Sequence, residues 1–218
     1  MKVARVPDLV AEVERFRSWA ATPRAAEGGA EWDALYEDWD RVYAAVLGLV
    51  DAKPFAAWSA AEAAAVLYAV ARDNDLQHLA GEIRARAPGL LPDLAEAALR
   101  GGERDARWQL AEELGRLATA CPRRGPLLER LAGDEDEYVR RRALGALARA
   151  GSPATERVAL EAWHRPDASQ EWARMTALWA LHRVGSGQLG RLLDEAERDA
   201  RPYLAAYAAD VRRGRVDE

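Results

Sequence analysis

The sequence predicts an all-α fold, an α-α superhelix of stacked helical hairpins, and two observations carry that expectation. The first is composition: 50% of the 218 residues are hydrophobic and 31% are charged, with Ala, Leu, Arg and Glu dominant and β-branched residues sparse. Such side chains lose little rotamer freedom in a helix. The second is an internal repeat. Residues 139–151, VRRRALGALARAG, overlay residues 173–185, ARMTALWALHRVG, at an offset of 34, and Gly ends both. Residues 106–118, ARWQLAEELGRLA, join at an offset of 33, with Arg107, Leu110 and Leu114 under Arg140, Ala143 and Leu147. A period of this length marks hairpin repeats, each of which buries its apolar face only against a neighbour.

In chain order, a first helix is expected over residues 8–20, with Pro7 suited to its start. A Pro- and Gly-bearing loop follows over 22–30. Residues 31–50 then place Trp32, Leu35, Tyr36, Trp39, Val42, Tyr43 and Val46 at i, i+3, i+4 and i+7 spacing, the pattern of a long amphipathic helix. Lys53-Pro54 breaks it. Residues 1–58 are therefore expected to cap the stack, and 59–200 to form the repeats. The stretch SAAEAAAVLYAVARDN, residues 59–74, reads as the second helix of a degenerate unit. Leading helices near 91–99, 126–131 and 154–163 are each followed by an acidic turn, carrying Asp105, then Asp134 and Asp136, then Asp167. Residues 201–218 cap the far end, and the whole chain is expected to be one domain.

The acidic turn, the Val-Arg pair and the small residues at helical spacing are clearest over residues 136–151, and they resemble the HEAT repeat family. The resemblance covers roughly residues 90–200 and departs at Ala106 and Ala173, where the family usually has a larger aliphatic side chain. It implies a right-handed solenoid. It also implies a structural ladder, in which Asp105, Asp136 and Asp167 accept hydrogen bonds near helix N-termini while Arg107, Arg140 and Arg174 reach across the turn. Asp near a helix start is favoured by capping and by the dipole alike.

The helical period separates inner from outer positions. With Val139, Ala143, Ala146 and Leu147 inward, Arg141, Arg142, Gly145 and Arg149 face the other way. The equivalent sets are Trp108, Gln109, Glu112 and Arg116, then Met175, Thr176, Trp179 and Arg183, with Ala64, Tyr68 and Arg72 on the 59–74 helix. From this concave face the expected binding residues are Tyr68, Trp108, Glu112, Arg141, Arg142, Met175 and Trp179, because aromatic, Met and Arg side chains are enriched in interfaces. The opposing arrangement, in which Trp108 and Trp179 bridge adjacent repeats and stay buried, is open at this point.

The net charge is −5; residues 1–100 hold 16 acidic and 11 basic side chains, and the remainder 20 of each. No polycationic stripe results, so nucleic acid is disfavoured and a basic protein partner is electrostatically easier. His78, His164 and His182 are isolated, without an HExxH pair or a His-Glu doublet, so neither a metal nor another cofactor is expected. The missing doublets also argue against similarity to the HEAT-type diiron hydroxylases. Cys121 stands alone, which excludes an intramolecular disulfide. No apolar run approaches the roughly 20 residues of a membrane span, and the start lacks the apolar core of a secretory signal. A cytoplasmic monomer is the expectation. With no catalytic constellation visible, the expected function is a protein-protein interaction module that grips a protein or peptide, with an inhibitor or immunity protein as its specific form. The alternatives are a HEAT-like DNA glycosylase, which Trp108, Trp179 and Arg141 superficially fit, and a bilin lyase, for which no motif is found.

Overall fold

The computed structural model describes residues 8–22, 36–165 and 171–216, and the regular elements among them are all helical. They are α1 (Leu9–Ala20), α2 (Trp39–Ala52), α3 (Ala60–Arg72), α4 (His78–Arg86), α5 (Leu91–Gly101), α6 (Arg104–Gly115), α7 (Arg124–Ala132), α8 (Glu137–Arg149), α9 (Thr155–His164), α10 (Glu171–Arg183), α11 (Leu189–Glu197) and α12 (Pro202–Arg212), with short 3-10 turns at Phe55–Ala57 and Pro88–Leu90. The chain divides into two compact units, Met1–Glu113 with Thr119–Cys121, and Leu114–Ala118 with Pro122–Glu218.

In unit 1, local chemistry sets the helix starts. The Asp8 carboxylate caps α1, accepting from the amides of Val10 and Ala11 at 3.1 and 3.2 Å. Ser59 and Glu62 form a reciprocal capping box at the start of α3, and Lys53 ties down Glu62 at 2.8 Å. Helix α1 packs on α2 and α3, α2 on α4, and α3 on α5. Phe16, Leu79, Ile83, Leu91 and Leu94 are fully enclosed. Glu12 and Asp73 are buried with them, as are Glu112 and Glu113 on α6. Glu12 accepts from Arg41 at 2.7 and 3.1 Å and also pairs with Arg15; the Arg41 hydrogen bonds hold its carboxyl below the usual range. Asp73, at the end of α3, accepts from the Tyr43 hydroxyl at 3.0 Å and from the Leu79 amide at 2.7 Å. It thus caps α4 from a distance, since the residue at that helix's own cap position, Gln77, is left-handed (φ 53°) and makes no side-chain cap bond.

Unit 2 is three hairpins, α7 with α8, α9 with α10, and α11 with α12, whose second helices α8, α10 and α12 lie side by side. Leu128, Leu131, Leu144, Leu147 and Leu178 fill its core. All three second helices stop in the same way. Gly151, Gly185 and Gly214 take φ near +65° (+63°, +66° and +66°), and the next amide closes back on the helix, from Ser152 to Leu147, Ser186 to Leu181 and Arg215 to Asp210, at 2.9 to 3.0 Å. An L side chain at those three glycines would strain the left-handed stop. Helices α4 and α11 were not anticipated from the sequence. Residues 31–35 of the expected long helix, and Asp167, lie outside the described residues.

Candidate binding surface

The repeated Asp and Arg positions resolve into three different rungs. Asp136 caps α8, its carboxylate accepting from the Val139 amide at 3.2 Å, while Arg140 donates to the carbonyls of Asp134 and Glu135 at 2.9 and 2.7 Å. Arg107 likewise donates to the Gly102 carbonyl at 2.8 Å. Asp105, by contrast, accepts from the Trp108 indole at 3.1 Å and pairs with Arg104 at 2.9 Å. Arg174 stacks over Trp163 at 5.0 Å and reaches forward to Asp199 at 3.3 Å. Two of the three arginines thus close their turn through main-chain oxygen, and the third uses a carboxylate 25 residues ahead.

Asp199 was missed in the sequence. It also accepts from the Arg201 amide at 3.0 Å and from the Arg201 guanidinium at 2.7 and 2.6 Å. Those Arg201 hydrogen bonds are the main reason its pKa falls from 3.8 to about 2. A depressed carboxylate contributes stability that is complete above the unfolded pKa and is lost as pH falls through the folded one. Asp199→Asn is therefore expected to lower the melting temperature at pH 7, with the gap from the parent closing between pH 4 and 2 in a thermal melt series.

Of the seven expected binding residues, three fall in unit 1. Tyr68 is half-buried between the guanidinium groups of Arg17 and Arg72, 4.4 and 4.6 Å from its ring, beside a groove of about 500 Å³ lined by Phe55, Trp58, Arg100 and Glu103. Trp108 and Glu112 are not on an open face: they are 5% and 4% exposed. Gln109 shows the reason. Its side chain donates to the Val70 carbonyl at 2.6 Å, so this stripe of α6 turns toward α3 instead of solvent.

The other four share unit 2, where the open face has a clear register. Tyr138, Arg141, Arg142, Gly145 and Arg149 run along α8; Trp172, Met175, Thr176, Trp179 and Arg183 lie at the same positions on α10. On α12 the positions are Tyr203, Ala206, Tyr207 and Asp210, the inner set being Leu204, Ala208 and Val211. At the N-terminal ends an aromatic row results. Trp172 and Tyr203 are 55% and 66% exposed and stack at 6.5 Å with 18° between planes. Tyr138 sits between Arg141 and Arg142, at 4.8 and 4.7 Å. At the other end Arg149 and Arg183 flank Trp179 at 6.0 and 5.6 Å. Trp179 is only 9% exposed, and its ring packs beside Gly145, 4.0 Å from where a Cβ on that residue would stand.

The aromatic row could have been found in the sequence, since Trp172 follows Tyr138 by 34 residues, but Tyr203 follows Trp172 by 31. Among the described residues, no group of His, Cys, Asp and Glu is placed to hold a metal ion, and no helix is long and apolar enough to cross a membrane. No curated protein matches the chain. Residues 122–215 match the family model for HEAT repeats, in agreement with the three hairpins and the shared glycine stops of unit 2. Residues 122–215 thus carry HEAT repeats.

Proposed function

We propose that the chain is a non-catalytic binding protein, which holds a protein partner on the open face of α8, α10 and α12. HEAT repeats generally mediate protein-protein interaction. The observation that carries the reading here is the two-ended register of that face, with stacked, solvent-facing Trp172 and Tyr203 at one end and Arg149 and Arg183 at the other. Large rings and guanidinium groups supply most of the energy of protein interfaces. Arg141, Arg142, Met175 and Trp179 lie between the two ends. An inhibitor that covers the working surface of another protein, as an immunity protein does, is the specific form of this reading. Of Trp108, Trp179 and Arg141, the residues that fitted a glycosylase, the two tryptophans are only 5% and 9% exposed.

The test is photo-crosslinking in the source cells, with a photoreactive phenylalanine at Met175 on the face or at Arg191 on the exposed side of α11. A discrete protein adduct is expected from position 175 and not from 191, and it should weaken about tenfold when Arg141 and Arg142 are both changed to Glu. Equal labelling from both positions would overturn the reading.

A further inference from the structure

We infer that Glu171 is a positioning residue for the proposed binding face: it caps α12 from the neighbouring hairpin and so sets Tyr203 beside Trp172 as one two-ring surface. That this surface meets a protein partner rests on the binding reading above; the placement of the rings does not.

The start of α12 comes first. Its cap position is Arg201, which makes no side-chain cap bond, and Pro202 follows as the first helical residue, without an amide hydrogen. The third residue is Leu204, whose amide is one that a capping side chain ordinarily takes. Leu204 is fully buried, so that amide needs an acceptor other than bulk water. The Glu171 carboxylate supplies it at 2.6 Å, from the first turn of α10 and 33 residues earlier in the chain.

The two rings flank that bond. Trp172 follows Glu171 and Tyr203 precedes Leu204, so the bond ties together the stretches of main chain that carry them. With 55% and 66% of their surface exposed, neither residue has a packed surround to hold its ring. They nevertheless stack at 6.5 Å with 18° between planes. The bond from Arg174 to Asp199, at 3.3 Å, fastens α10 to the turn before α12 and leaves the start of the helix itself to Glu171.

The preceding joint is built differently. Glu137, the equivalent of Glu171 at an offset of 34, pairs within its own helix with Arg141 at 3.2 Å. Helix α8 takes its cap from Asp136, in its own turn. A cap supplied by the neighbouring hairpin thus accompanies the joint at which the spacing of the rings shortens from 34 to 31 residues.

The experiment uses the full chain with 13C-labelled tyrosine rings and follows its six tyrosines by NMR. Tyr203→Phe identifies the Tyr203 signal, and Trp172→Ala shows where that signal lies without the neighbouring indole. Glu171→Ala should move it to this unpaired position. Glu171→Gln keeps an acceptor oxygen on the same stem and should leave it near the parent's. Unmoved signals from Tyr43 and Tyr68 in unit 1 and from Tyr138 in unit 2 would show that the fold of each unit persists. In the crosslinking test at position 175, Glu171→Ala should weaken the adduct about tenfold, as loss of an anchoring ring does, and Glu171→Gln should restore it.

The inference is overturned if the Tyr203 signal of Glu171→Ala stays at the parent's position, if Glu171→Gln behaves as Glu171→Ala does, or if the adduct is unchanged once the rings have separated. Absence of an adduct from the parent chain would remove the binding reading and not the placement of the ring, which the Tyr203 signal alone decides.

Discussion

Replacing Asp73 with Ala is expected to cost unit 1 about 3 kcal/mol, the magnitude for hydrogen bonds to a buried charged group whose donors are left without an acceptor. The carboxylate is fully enclosed and holds two elements at once, the Tyr43 hydroxyl of α2 and the Leu79 amide at the start of α4. Helix α4 has no side-chain cap of its own, so the substitution leaves a helix N-terminus and a hydroxyl unsatisfied together. Asp73→Asn keeps one acceptor oxygen and should lose about half as much. Urea denaturation followed by circular dichroism measures both. A loss no greater than that of an exposed control such as Asp75→Ala would show that α4 starts without this cap.

The second large effect is at Gly115, the last residue of α6. A Cβ there would lie 2.7 Å from the Cβ of Ala146, 2.8 Å from its Cα and 3.1 Å from its carbonyl oxygen. Two opposing terms apply. Gly→Ala inside an open helix gains about 1 kcal/mol, whereas overpacking against a backbone that cannot move costs about 1–3 kcal/mol or more. The contact here is with main-chain atoms of α8, so overpacking prevails, and Gly115→Ala should lose about 2 kcal/mol. Gly81, in the middle of α4, has nothing within 4 Å of the same position. Gly81→Ala should therefore stabilise by about 1 kcal/mol. Opposite signs in the two denaturation curves are the expected result, and a gain at both sites would mean that α6 and α8 are not in close contact.

How far the sequence could be read depends on whether each answer lies within one repeat. The stop signals do: Gly151 and Gly185 close α8 and α10 through bonds spanning only a few residues, and the Asp136 cap is equally local. The all-α class follows from composition and from this period. The direction faced by α6 does not lie within one repeat. Trp108 and Glu112 share a surface with Gln109, whose bond to Val70 crosses 39 residues, and no periodicity within α6 shows which neighbour covers which side. Helix α4 escaped notice because HLAGEIRAR has only two apolar side chains larger than Ala, Leu79 and Ile83, and is started by an acid outside its own sequence. Tyr203 escaped because the spacing contracts from 34 to 31 residues between the last two hairpins. On the face proposed to bind, the common side of Arg141, Arg142, Met175 and Trp179 follows from one shared helical period, whereas Trp172 and Tyr203 needed the hairpins placed side by side.

Within unit 2, Arg140 and Arg174 fasten their helices to acceptors of different kinds. Arg140 donates to the peptide oxygens of Asp134 and Glu135, whereas Arg174 donates to Asp199, a carboxylate that acid neutralises. The hold of α10 on the turn before α12 is therefore one that acid loosens.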